Sequence, residues 1–181
     1  GVHTAEHHAS AMFHLGVPVA PIPRACLAAA ASPRKDPYAV LHVSAAYSTK
    51  QWPAARFLEA AEHIRSAWGL EPVAIAGPGE DGILDELPGL SRLRGLGPGK
   101  LKSLLAGANL FVGNDSGPAH VAAAFGVPSV LIFGSSDSRV WGPWRTPHVV
   151  IETDWDCKPC AGDGCRAFDE PRCILSVDAA P

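Results

Sequence analysis

Four short apolar runs set the strongest limit on this fold: YAVLHV (38–43), PVAIAG (72–77), NLFVG (109–113) and PSVLIFG (128–134). They are continuous, where a strand with one wet face would alternate apolar and polar residues. Continuous runs belong to strands covered on both faces, the state of parallel strands joined by helices. The segments between them have helical spacing. PAARFLEAAEHIRSAW (53–68) puts Phe57, Leu58, Ala61, Ile64 and Trp68 on one face, with Pro53 suited to the first turn. GKLKSLLAGA (99–108) and GPAHVAAAFG (117–126) read as two more helices, the second stopped by Gly126. EDGILDEL (80–87) predicts a short helix, LSRLRGL (90–96) a weak strand and HVVIE (148–152) a last strand. Strand and helix thus alternate, which predicts an α/β fold, a Rossmann-like doubly wound parallel sheet of about six strands.

The flanks differ in texture. Residues 1–16 read as a helix ending at Gly16, and residues 17–37 carry five prolines and read as an extended connector. A helix followed by a connector looks like a hinge region. The expected organisation is a hinge over 1–37, a sheet domain over 38–152 and a cysteine-rich tail over 153–181 that packs back on it. An apolar content of 47 % in 181 residues supports a real core, and a net charge of −3 argues against a nucleic-acid partner. No apolar run reaches the roughly 18 residues that span a bilayer. No secretory signal opens the chain, so a cytoplasmic location is expected.

Ligands of doubly wound sheets sit beyond the carboxyl ends of the strands. Small and polar residues gather at four such corners, SAAYSTKQWP (44–53), GPGED (77–81), GNDSGPAH (113–120) and GSSDSRVWGPW (134–144). A helix starting at Gly117 leaves its first N–H groups unpaired, and its dipole favours an anion there. Ser116 and Gly117 permit close approach, and Pro118 suits a first turn. Asp115 or Ser116 can equally cap that helix, so this corner alone leaves a helix cap and a phosphate site both open. His120, one turn on, either faces the ligand or packs on the sheet. Lys50, beside Ser48 and Thr49, offers an ammonium and two hydroxyls to a diphosphate, or is a solvated loop lysine. Glu80 can accept hydrogen bonds from a ribose, or sits in a helix first turn for its dipole. Neither a Gly-x-Gly-x-x-Gly after the first strand nor a Walker-type Gly-Lys-Ser/Thr is present, which weakens NAD binding and NTP hydrolysis.

The motifs STKQWP (48–53), AGPGED (76–81), the long run LAGANLFVGNDSGPAHVAAAFGVPSVLIFGSSDSRVWGPW (105–144) and the closing CKPC…C…C resemble glycosyltransferase family 9, the ADP-heptose:lipopolysaccharide heptosyltransferases. The resemblance covers residues 38 to about 175, with DSGPAH its sharpest element. It implies one half of a GT-B architecture, the C-terminal half that holds the nucleotide sugar. Residues 1–37 would then be the interdomain helix and linker. By that resemblance Lys50 and the amides of Ser116 and Gly117 hold the diphosphate. Asp115 and His120 line the diphosphate and sugar end, Glu80 contacts the ribose, and Ser48 or Thr49 adds a phosphate contact. It further implies inverting transfer from an ADP-sugar donor, with no metal and no cofactor. The lipopolysaccharide-type acceptor and the general base would belong to a preceding N-terminal domain, so this chain alone is expected to be inactive. The full protein would work at the inner face of the cytoplasmic membrane, with peripheral association open. The competing readings are another GT-B nucleotide-sugar enzyme, transferase or epimerase, and a stand-alone nucleotide-binding module without catalysis.

Cys157, Cys160, Cys165 and Cys173 cluster near the C-terminus, while Cys26 stands alone. Four thiolates can bind zinc tetrahedrally. The spacing is not a paired CxxC…CxxC, and packed thiols or a disulfide are favoured over a structural zinc. His3, His7 and His14 share a helical face, for which a solvated hinge helix is the preferred reading over metal binding.

Overall fold

The computed structural model describes residues 1–160 and 163–179. Six strands form one all-parallel sheet: β1 (Tyr38–His42), β2 (Glu71–Ile75), β3 (Ser91–Leu93), β4 (Leu110–Asn114), β5 (Ser129–Phe133) and β6 (His148–Glu152). Their order is β3-β2-β1-β4-β5-β6. The order reverses between β1 and β4, and the crevice outside their carboxyl ends is where such sheets bind ligands. In register, His42 of β1 stands between Ile75 of β2 and Gly113 of β4.

The continuous apolar runs are buried on both faces, as their composition requires. On one face Leu41, Val43, Ala74 and Val112 pack with α2 (Ala54–Trp68) through Phe57, Ala61 and Ile64. On the other, Val40, Ile75, Phe111 and Leu131 pack against α3 (Pro98–Ala106) and α4 (Gly117–Phe125) through Leu104, Leu105, Ala119 and Ala122. Gly69 and Gly126 end α2 and α4 in left-handed conformations at φ 63° and 77°, where glycine avoids the Cβ penalty. Trp68 departs from its expected place on the buried face. It lies at the end of α2, 54 % exposed, edge-on to His63. The segment read as a short helix at 80–87 is a 3₁₀ helix over Asp81–Glu86. Two four-residue helices have no signal in the apolar spacing: α5 (Ser138–Trp141) and α6 (Arg172–Leu175).

The N-terminal helix α1 (Thr4–His14) has no buried residue. Its cap residue His3 is not the solvated side chain expected of a hinge helix. The ring lies 4.5 Å from that of Trp144, and its Nε2 is 2.9 Å from the Gly142 carbonyl. The following connector has neither helix nor strand, yet it is pinned. Arg24 donates to the Ala123 and Ala124 carbonyls at the C-terminus of α4 at 2.9 and 2.7 Å, the first of which also accepts from the Gly126 amide and the Thr146 hydroxyl. The Trp144 indole donates to the Ile22 carbonyl at 3.2 Å. Beyond β6 the tail returns across the sheet. Ile174 and Val177 enter the core, and the Trp52 indole donates to the Val177 carbonyl at 2.8 Å. The expected tail range 153–181 includes four residues, 161, 162, 180 and 181, that lie outside the described set.

Candidate functional site at the sheet switch point

A buried polar network ties the strand ends together. Asn114, wholly buried at the end of β4, accepts from the Trp52 amide at 3.0 Å and donates to the Val43 and Ser44 carbonyls at 3.3 Å each. Ser44 accepts from the Gly77 amide at 2.8 Å. Ser135 donates to Thr49 Oγ1 at 3.0 Å, and its amide donates to the Thr49 carbonyl at 3.2 Å. The loops after β1, β2, β4 and β5 are therefore one cross-braced rim, in which buried polar groups find partners.

An open groove of ≈ 680 Å³ runs along that rim. At one end Lys50 Nζ donates to Asp115 Oδ2 at 2.7 Å, and Ser136 Oγ donates to the same oxygen at 2.5 Å. Asp115 thus holds the ammonium in place and leaves Lys50 with donor capacity toward the groove. Beside it begins α4. Ser116 occupies the N-cap position, but no side chain caps the first turn. The Ser116 hydroxyl instead lies 3.0 Å from His42 Nδ1. The two capping candidates, Asp115 and Ser116, are both engaged elsewhere, and this corner is not a self-satisfied helix cap. A Cβ built on Gly117 meets no atom within 4 Å, so the absent side chain leaves open groove in front of the helix N-terminus.

Glu80 lines the same groove from the loop after β2, its carboxylate lying where a Cβ on Gly77 would stand. His120 lines it from α4. Desolvation lowers the His120 pKa; Asp115 acts to raise it and His3 to lower it further. Ala45, Ala46 and Tyr47 line the near wall. Ile75, Ala76, Leu96, Leu101 and Val121 add apolar lining.

The geometry brings Lys50, Glu80, Asp115, Ser116, Gly117 and His120 to one groove. It does not bring Ser48 and Thr49 there. Ser48 donates to the Asp163 carbonyl in the tail at 3.2 Å, and Thr49 is buried against Ser135. Both belong to a 3₁₀ turn, Ser48–Lys50, which points successive side chains in different directions. Sequence reasoning missed Ser136, Asn114 and His42. The first two lie inside quoted corner motifs, and His42 is a lone polar residue ending an apolar strand, which is a detectable signal.

The four tail cysteines converge on a separate cavity of ≈ 170 Å³, shared with Thr49 and Phe168. None is in a disulfide, and burial raises the Cys173 thiol pKa. Among the described residues, no three of His, Cys, Asp and Glu are arranged to hold a metal ion. Nor is any helix among them long and apolar enough to cross a membrane.

Residues 14–169 match the profile of glycosyltransferase family 9 (heptosyltransferase). The chain belongs to glycosyltransferase family 9. It is 34 % identical over 121 residues to lipopolysaccharide heptosyltransferase 3 of Escherichia coli, a match covering 62 % of this chain and 35 % of that protein. The matches span between 35 % and 40 % of the length of the curated relatives. Among solved structures, a family 9 glycosyltransferase from Veillonella parvula superposes with a TM-score of 0.72 at 23 % identity, over 83 % of this chain and 49 % of that one. The E. coli heptosyltransferase WaaC with ADP-2-deoxy-2-fluoro heptose gives 0.60 at 22 % identity, over 68 % and 39 %. Both likenesses establish the shared fold.

Proposed function

We propose that this chain is the donor-binding half of an inverting family 9 glycosyltransferase. It holds a nucleoside-diphosphate sugar of the ADP-heptose class for transfer to a lipopolysaccharide-type acceptor. The acceptor and the general base belong to a preceding domain, with residues 1–37 as the connection. The work is done on the cytoplasmic side of the membrane. One observation carries the reading: the N-terminus of α4 is left without a side-chain cap beside an ammonium fixed by Asp115. The solved WaaC structure with ADP-2-deoxy-2-fluoro heptose supports the donor class.

The chemistry follows from charge. Breaking the bond between the sugar and the diphosphate leaves negative charge on the diphosphate. The Gly117 amide and the Lys50 ammonium are preorganised to meet it, each contributing about 3 kcal/mol to lowering the barrier, and the dipole of α4 adds about 1 kcal/mol. Asp115, itself held by Ser136, fixes Lys50 before the donor arrives, so little ordering remains to be done at that moment. Glu80 accepts hydrogen bonds from the ribose hydroxyls. His120 faces the sugar end. No metal and no cofactor enters this scheme, and the cysteines pack the tail as reduced thiols behind the Lys50 turn.

Titration calorimetry with ADP, UDP and GDP, then ADP-heptose, tests the reading. ADP is expected to bind in preference. Lys50→Ala is expected to weaken it by roughly ten- to a hundredfold, the loss of one charge-assisted contact. Absence of nucleotide binding by the wild-type chain rejects the donor-half assignment of the groove as it stands.

A further inference from the structure

Among the described residues, His42 is the one buried polar side chain of the groove that the proposed function leaves unused. It is 3 % exposed and ends β1 at the groove floor. Its Nδ1 is engaged by Ser116, and its Nε2 is buried with no hydrogen-bond partner. A buried unpaired ring nitrogen is costly, and a fold retains one where a ligand completes it. The surroundings say which ligand. The flanking register partners are Ile75 and Gly113. A Cβ on Gly113 would stand 3.1 Å from that of His42 and 3.0 Å from the Phe111 ring, so glycine lets that ring pack beside His42 and close this side. Ile75, Leu96, Leu101 and Val121 belong to the same face of the sheet and give the groove apolar lining. A flat apolar slot with one hydrogen-bonding nitrogen in its floor suits a heteroaromatic base.

We infer that His42 is a specificity-determining residue for the base of the donor nucleotide, its Nε2 bonding to the polar edge of that base. The inference rests on the groove being the nucleotide-sugar site. Ser116 sets the tautomer: whichever role its hydroxyl leaves to Nδ1, Nε2 takes the other. Selectivity follows because a site built to hydrogen-bond rejects a base that leaves its polar group unpaired.

Two amide variants separate direct recognition from an effect through Ser116. Asparagine reaches the position of Nδ1 and keeps the Ser116 contact. Glutamine reaches the position of Nε2. Calorimetry with ADP, GDP, UDP and inorganic pyrophosphate reads the result. His42→Asn and His42→Leu are expected to lose ADP affinity by about ten- to a hundredfold and to lose the preference among the three nucleotides. Pyrophosphate binding should be unchanged in His42→Asn, which keeps the Ser116 contact. His42→Gln is expected to keep the preference. His42→Leu should also raise the melting temperature of the free chain, since it removes an unpaired buried nitrogen. Unchanged ADP affinity in His42→Asn overturns the inference, as does an equal loss of pyrophosphate binding, which would place the role at Ser116. A wild-type chain that binds pyrophosphate but no nucleotide removes the base site itself, and one that binds none of the four removes the underlying reading of the groove.

Discussion

His42 links the site to stability through its protonation. Burial pushes its pKa down to about 4 from 6.5. The unfolded chain therefore binds a proton at higher pH than the folded chain does. Stability is fully present above about pH 6.5 and falls as the pH drops toward 4, by about 3 kcal/mol for a shift of this size. The lowered pKa of His120 acts in the same direction. Glu152 and Asp137, whose pKa values are also lowered, add their losses only further into the acid range. Urea denaturation at pH 7 and pH 5 should show this slope in the wild type and a shallower one in His42→Leu. Equal slopes would mean that His42 titrates normally in the fold.

At the level of elements, the rim depends on one close approach. Gly134 follows β5, and a Cβ there would overlap the Thr49 carbonyl, to which the Ser135 amide donates. Gly134→Ala must displace either the Ser48–Lys50 turn or the end of β5. It is expected to cost about 2 kcal/mol by chemical denaturation, the scale of an overpacked site. Nucleotide affinity should fall as well, because Lys50 belongs to the displaced turn. A variant with wild-type stability would show that the turn yields freely. The three longer helices that cover the sheet, and all six strands, β3 only as a weak one, are legible in the chain because each carries its own period and punctuation. Residues 80–87 tightened to 3₁₀, and α5 and α6 escaped notice, because four to six residues give too little spacing to read. Hydroxyl chemistry and the family resemblance both point Ser48 or Thr49 at a phosphate. The turn geometry aims them at the tail and at Ser135.

Across the whole molecule, the tail is part of the domain. Ile174 is fully buried and packs in the same cluster as Trp52, Phe57 and Leu84. Ile174→Ala is expected to cost about 3 kcal/mol, typical of a large core truncation. The urea midpoint should fall with no change in slope, the mark of one cooperative unit. A separate early transition would instead mark the tail as an independent layer. The sequence by itself determined the α/β layering, the polar corners beyond the strand ends and most of the groove residues, because apolar period, helix caps and glycine positions are local properties. Only the tertiary structure decided which polar groups meet. His42 and Ser116 lie 74 positions apart, Lys50 and Asp115 lie 65 apart, and Trp52 meets Val177 across 125. The first two pairings follow from the strand order, which places β1 beside β4 at the switch point, and the third from the return of the tail into the core. No local pattern records that order, because it is selected by how the whole chain buries its two apolar faces at once.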